Sequence, residues 1–575
     1  MIAWNRARRA VTRTAAACLL GSPAFAWGQP APVVSTPAAL PIPVAPGTAP
    51  VLPDVEVAAP GAATPAAPGT PAPAPAAGDC KACADGGFDW KQVPRTRPFP
   101  RPGNFPILPT GPGYYSLLDQ LTGECRKAPP KWPYPRFGLA QPSFFDIDNF
   151  SYLDDPKNTE TDYTDCLHRI RHNDWLFVTG GDIRGRYESN YNSRLTQTDN
   201  NFGLGRIRTY GDLWYKDDFR LFVEFISAGT AWQDQPPLPI DVNKADFLNL
   251  FIDMKVGEYE DKPIYARVGR QELLFGSQRL ISPLEWANTR RTYQGVRGFR
   301  QGEKWDVDAF WVQPVLPQPN KLDSVDNNVN FAGTWATYKP KKGVAVDAYY
   351  LMLDSVNRTT VQGIPRGPFT RHTIGSRLSG NEDQFLYDFE GAMQLGNLDG
   401  RNVVAGMATA GLGYNFKDAA WNPTVWAFYD YASGGGATGN GTVHTFNQLF
   451  PFGHYYLGWL DQVGRQNIHD LNFHLYAYPT KWLTTWVQFH SFWLANSNDA
   501  LYNAAGVPIR RSAAGTAGTH VGEEVDLVLN WHLSTHVDLM TGYSYLWGGE
   551  FLKNTSSRTL AQNAGFYFAQ LTYRW

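Results

Sequence analysis

The sequence predicts a transmembrane antiparallel β-barrel of about 18 strands, spanning residues 174–575. Three observations lead there. Long segments alternate apolar and charged residues with a period of two. No run of about 18 apolar residues occurs anywhere, which excludes a bundle of membrane helices. The chain ends on an alternating aromatic strand, Tyr567, Ala569, Leu571, Tyr573 and Trp575.

Composition fits this reading. Among 575 residues, charged side chains make up only 18% and aromatics 14%, with 20 Trp, 28 Tyr and 33 Phe. Mean hydropathy is -0.35. Lipid-facing strands with aromatic girdles around a polar interior give such an average. The formal net charge of -2 argues against a general nucleic-acid binder.

The first segment reads as an export signal, residues 1–26. Arg6, Arg8, Arg9 and Arg13 precede a short apolar stretch to Leu20, and Ala24-Phe25-Ala26 has the form of a cleavage site. Residues 27–79 are almost wholly Pro, Ala, Val, Thr and Gly. Such a stretch favours extended polyproline II and reads as a disordered periplasmic linker. Residues 80–173 form an irregular segment, periplasmic or a plug. It holds Cys80, Cys83, Cys125 and Cys166, read as disulfide candidates because the chain is exported. Cys80-Lys-Ala-Cys83 lacks the following His that haem attachment needs. His168 and His172 read as a surface pair.

Alternation begins after Asp174. Trp175, Phe177, Ile183 and Tyr187 share one face, while Asp182, Arg184, Arg186 and Glu188 share the other. Ile207, Leu213 and Tyr215 oppose Arg206, Arg208 and Asp212. Phe219, Leu221, Val223 and Phe225 oppose Arg220 and Glu224. Leu248, Leu250, Ile252 and Met254 oppose Asn249 and Asp253. Trp305, Val307 and Trp311 oppose Asp306 and Asp308. Phe389, Met393 and Leu395 oppose Asp388, Glu390 and Gln394. Val525, Leu527 and Leu529 oppose Glu524 and Asp526. A dry core rejects that many charges, since each unpaired one costs several kcal/mol. A water-filled lumen accepts them, which turns the apolar face toward lipid. Further strands are expected from near residues 264, 292, 331, 344, 372, 402, 423, 467, 482, 536 and 566. Stretches 233–245, 315–328 and 434–460 read as long loops, extracellular or folded into the lumen.

Barrels of this size leave an aqueous channel whose wall charges set selectivity. Arg184, Arg186, Arg206, Arg208 and Arg220 lie on inner faces of the first three strands, with Arg267 and Arg270 on the fifth. Arg279, Arg291 and Arg297 complete the candidate pore-lining set. Arg suits carboxylates because its planar fork binds them bidentately. Asp182, Glu188, Asp212 and Glu224 stand near enough to pair with these arginines. Two readings stay open: a self-neutralised wall, or an electropositive track for an acidic solute.

The block Gly269-Arg-Gln-Glu-Leu-Leu-Phe-Gly-Ser-Gln-Arg279-Leu-Ile-Ser-Pro-Leu-Glu285-Trp-Ala-Asn288-Thr-Arg-Arg291-Thr-Tyr293 resembles the signature of the alginate export family of outer-membrane barrels. So do Thr373-Ile-Gly-Ser-Arg377-Leu, Tyr387-Asp-Phe-Glu-Gly-Ala-Met-Gln394, Tyr429-Asp-Tyr-Ala-Ser-Gly434, Phe446-Asn-Gln-Leu-Phe-Pro-Phe-Gly-His454, Asp461 and Gly464-Arg-Gln-Asn467. The resemblance covers about 174–575. It implies an eighteen-stranded barrel with an Arg-rich pore that exports an anionic polysaccharide. The Pro/Ala linker and the Cys-bearing segment depart from the family pattern. The expected setting is the outer membrane of a Gram-negative-type bacterium, with the N-terminal region periplasmic. The expected partners are membrane lipid, the transported polysaccharide or small acidic solute, barrel-assembly machinery acting on the last strand, and periplasmic export partners.

The alternatives are a small-solute diffusion porin and a structural envelope anchor. No cofactor or metal is expected. The chain has neither a G-x-x-x-x-G-K-[ST] loop nor a G-x-S-x-G elbow, so no enzyme is expected and transport is passive.

Overall fold

The computed structural model describes residues 107–130, 143–146, 150–159, 161–356, 367–435 and 441–575. The export signal, the Pro/Ala linker, Cys80 and Cys83 lie outside them.

Eighteen long antiparallel strands close a barrel. They are β1 Trp175–Tyr191, β2 Asn200–Tyr215, β3 Phe219–Ala231, β4 Asn243–Tyr259, β5 Lys262–Gln271 and β6 Tyr293–Gln301. Then come β7 Trp305–Leu316, β8 Val329–Tyr338, β9 Val344–Ser355, β10 Phe369–Glu382, β11 Phe385–Leu398 and β12 Arg401–Asn415. The last are β13 Thr424–Ala432, β14 Ile468–Thr480, β15 Leu483–Leu494, β16 His520–His532, β17 Val537–Gly548 and β18 Ala564–Arg574. Each pairs with its chain neighbours, and β1 closes on β18 from Asp182↔Arg574 to Tyr191↔Gly565. Closure pairs each of the eighteen long strands on both sides, as a lipid setting demands. Among the described residues no helix is long and apolar enough to cross a membrane.

The alternation sorts as expected on most strands. Ile183, Ile207, Met254, Trp311 and Met393 are exposed outward, while Asp182, Arg208, Asp253, Asp308 and Asp388 are buried inward. Leu248 departs: the β3–β4 register shifts between Glu224 and Phe225, and Leu248 turns into a small buried cluster with Ile226 and Ala228. A bulge inserts one residue and reverses the side that follows it.

The two barrel ends differ. One carries short turns, such as 216–218, 260–261 and 481–482, together with the first residue of β1 and the last of β18. The other carries longer connections, among them 272–292, 495–519 and 549–563. At the short-turn end, a helix α1, Leu117–Thr122, is capped by a Ser116/Asp119 capping box and a left-handed Gly123. Its flank docks on the 481–482 turn. Lys481 Nζ donates to the carbonyls of Thr110 at 2.9 Å and Pro112 at 2.6 Å.

Cys125 and Cys166 are free and exposed, so no bond joins these two. The first was read as a disulfide candidate from compartment alone, and the fold keeps it on the exposed flank of α1.

Candidate functional site in the barrel interior

The inner wall of β1–β7 is an ion-pair ladder. Arg208 donates from Nε to Asp182 at 3.1 Å and from Nη1 to Glu224 at 3.2 Å. Arg186 meets Glu188 at 2.8 Å. Arg220 grips Asp212 with two bonds of 2.7 and 2.8 Å and reaches Asp253 at 3.7 Å. Arg267 holds Asp253 bidentately at 2.7 and 2.8 Å, and Arg297 binds Asp308 at 2.6 Å. All of these groups are buried. Each cation therefore has a carboxylate on the same or an adjacent strand. Such bonds stay strong where water is excluded.

Loop 272–292 folds inward over this wall, which the sequence did not disclose. Arg184 donates to the Glu285 and Ala287 carbonyls, each at 3.0 Å. Arg186 donates to the Trp286 carbonyl at 2.8 Å, with its guanidinium 3.8 Å over the Trp286 ring. Asn288 Nδ2 reaches the carbonyls of Gly205, Gly229 and Asp241. The loop thereby brings one carboxylate into a cluster of arginines. Glu285 meets Arg206 at 2.7 Å, Arg184 at 3.5 Å and Arg208 at 4.0 Å, and also pairs with Arg290. Arg290 further pairs with Glu272.

The remaining candidates divide. Arg279 lies on this loop and crosses the lumen to Asp388 at 2.8 Å and Glu390 at 3.0 Å. Arg291 donates to the carbonyls of Ser282 and Pro451, both at 3.3 Å. Arg270 sits near the long-loop end of β5, only partly buried, and bonds Asp246 at 3.2 Å. It follows exposed Val268 at the same parity, which separates it from inward Arg267.

The inner wall of β14–β16 carries carboxylates of a different kind. Glu524 and Asp526 are fully buried, and among the described residues no arginine pairs with them; His490 Nε2 lies 3.9 Å from Asp526. A second inward loop covers them: the Leu460 and Trp459 amides donate to Glu524 at 3.0 Å and Asp526 at 3.4 Å. Gly458, at φ +85°, makes that approach, since a Cβ there would strike the Glu524 carboxylate. His490 bonds Asp470 at 2.9 Å, and Arg465 bonds Asp430 at 2.5 Å. The two loops bridge each other in parallel at Ile281↔Phe450. Trp286 stacks on His454 at 4.1 Å, and Trp459 stacks on Phe568 at 5.3 Å. The charges expected to face open water are thus covered by chain, and an aromatic core occupies the mid-lumen.

At the short-turn end the inner wall interleaves apolar side chains with the Arg220–Asp212 and Arg267–Asp253 pairs. Leu176, Val178, Tyr210, Trp214, Phe222, Phe251 and Tyr265 cluster with Phe144, Phe145 and Phe150. His168 belongs here rather than to the surface, stacked on Phe150 at 3.6 Å with Nδ1 2.6 Å from the Thr179 carbonyl. His172 is exposed.

Nearby, Asp162 latches onto His536 Nε2 at 2.8 Å, while His536 Nδ1 faces the Arg574 carbonyl at 2.5 Å. Burial opposes the charge on His536, but these two bonds and Asp165 outweigh it and raise its pKa above the ordinary value. Burial also opposes the Asp162 charge, yet His536 and Thr164 hold its carboxyl down at about 2. A raised His pKa gives docking that is complete below the ordinary His value and lost as pH climbs through the raised one. The Asp part is lost only as pH falls through about 2. Hydrogen exchange of residues 161–168 should therefore be slow, after correction for intrinsic rates, at about pH 6 and faster at about pH 9. Equal protection at both would refute the latch.

The sequence profile of the alginate export family matches residues 176–566. The chain belongs to the alginate export family. This alginate-export barrel also aligns with solved Pseudomonas aeruginosa outer-membrane proteins. OccK8 (OprE) aligns at 9% identity and TM-score 0.47, over 69% of this chain and 98% of that one. OpdQ aligns at 11% and 0.45, over 69% and 97%. OprD aligns at 9% and 0.44, over 69% and 94%. No curated protein matches the chain. Family and closed barrel together make it an outer-membrane channel protein.

Proposed function

We propose that this outer-membrane channel passively exports an anionic polysaccharide, alginate-like, or another acidic solute, with the short-turn end and N-terminal region in the periplasm. The observation that carries the reading is the Glu285 cradle. One carboxylate on a loop is met by four arginines, Arg184, Arg206, Arg208 and Arg290. Three of the four belong to the barrel wall. A cluster that binds a loop carboxylate has the chemistry to bind a uronate carboxylate once the loop withdraws. Successive sites must stay individually weak, so that each hand-over exchanges one contact for the next and the chain can leave. Concentration or a periplasmic machine supplies the drive. Lipid meets the apolar outer face, and the closing aromatic strand is suited to barrel-assembly machinery.

Bilayer recordings under a salt gradient test the charge sign. The wild type should prefer anions, and Glu285→Gln should strengthen that preference by freeing Arg206. Arg184→Gln with Arg206→Gln should weaken it. Cation preference in the wild type would contradict the proposal.

A further inference from the structure

We infer that residues 143–146 and 150–154 are a built-in plug that occupies the short-turn mouth and competes with an anionic chain for that space. The inference rests on the reading above for the competitor's chemistry, but its geometry stands alone. Phe144 stacks on Tyr210 at 4.9 Å, and Arg208 lies 4.3 Å over its ring. Phe145 packs edge-on against Phe222 and Phe251 at 5.5 and 5.0 Å, with Arg267 4.6 Å over its ring. The Phe145 carbonyl accepts a 3.2 Å bond from Arg220. Phe150 seals the edge against His168.

Three wall arginines are thus engaged by two neighbouring plug residues, through ring faces and one carbonyl. These are weak, replaceable partners for a guanidinium. The forks themselves stay on Asp182, Glu224, Asp212 and Asp253, so the plug adds only ring contacts of about 0.5–2 kcal/mol each and one carbonyl bond. A uronate chain entering from this mouth must pass where Phe144 and Phe145 now lie. The wall itself is built for this plug. At the short-turn end its inner face carries an apolar stripe, Leu176, Val178, Tyr210, Trp214, Phe222, Phe251 and Tyr265, interleaved with the Arg220–Asp212 and Arg267–Asp253 pairs. An unplugged mouth would expose that stripe to water, which keeps the plug seated when no ligand is present.

The test uses the full chain in planar bilayers, comparing wild type with Phe144→Ala/Phe145→Ala. Barrel folding is checked by heat-modifiable gel migration, because no strand residue is changed. Asp162→Asn, which loosens the latch outside the barrel, is the second variant. Both variants, made also in a Trp286→Ala background that loosens the mid-lumen loop, should raise the unliganded conductance over that background. Block by a uronate oligomer should tighten by about tenfold, the factor expected if the unplugged state is about one-tenth populated in the wild type. Unchanged conductance in both folded variants in that background would overturn the plug. Raised conductance with no uronate block in any form would support the plug and overturn the anionic-substrate reading, so the two failures are distinguishable.

Discussion

Replacing Arg208 by alanine should destabilise the folded barrel by about 3–5 kcal/mol, the range for breaking a buried ion pair by removing one partner. Arg208 is 1% exposed and ties three strands, since Asp182 lies on β1 and Glu224 on β3. Without it, Glu224 keeps the Asn249 amide at 2.7 Å, and Asp182 keeps Arg206 at 3.5 Å. Two carboxylates would then remain in a nearly dry wall. The triple variant Arg208→Met/Asp182→Asn/Glu224→Gln should recover most of the loss, because replacing all partners leaves no orphan charge. The midpoint of denaturant unfolding in vesicles measures this. A loss under about 1 kcal/mol, the range of solvated pairs, would mean that the wall is wet.

The second large effect is on the inward loops. Trp286→Ala removes a ring that packs on Arg186, His454, Trp459, Phe566 and Phe568. Truncating a buried Trp costs about 3–5 kcal/mol. Here the loss falls on loop docking rather than on the strand ladder. An equilibrium that strongly favours the docked loop would move to substantial opening, because about 5.5 kcal/mol is enough to invert a 1:99 population. Conductance should rise several-fold while unfolding of the barrel shifts little. Unchanged conductance with a matching global destabilisation would show that the loop is a fixed part of the core.

The fold was legible because alternation on a closed sheet has one physical cause. Lipid outside and polar groups inside force a period of two, and strand starts expected near 264, 344, 423 and 536 fall within two residues of β5, β9, β13 and β17. The interior was less legible. Loop 272–292 carries no period, and its run Leu273-Leu274-Phe275 gives no direction, so only the structure brings Glu285 to Arg206. Arg279 and Arg291 lie on that loop for the same reason, and their partners depend on how it folds. The plug had a signal that alternation obscured. Trp175-Leu176-Phe177-Val178 and Leu221-Phe222-Val223 are apolar on both faces, and a strand apolar on both faces must be covered on both. The matching cover, Phe144-Phe145, lies in a segment with no period of its own.

One measurement bears most directly on the central proposal: block of single-channel current by uronate oligomers, set against neutral oligosaccharides of the same length. Uronates should block in a length-dependent and salt-sensitive way, more tightly in Glu285→Gln than in the wild type, while neutral chains have little effect. Equal block by both series, or block by neutral chains alone, would contradict an arginine-guided path for an acidic polymer.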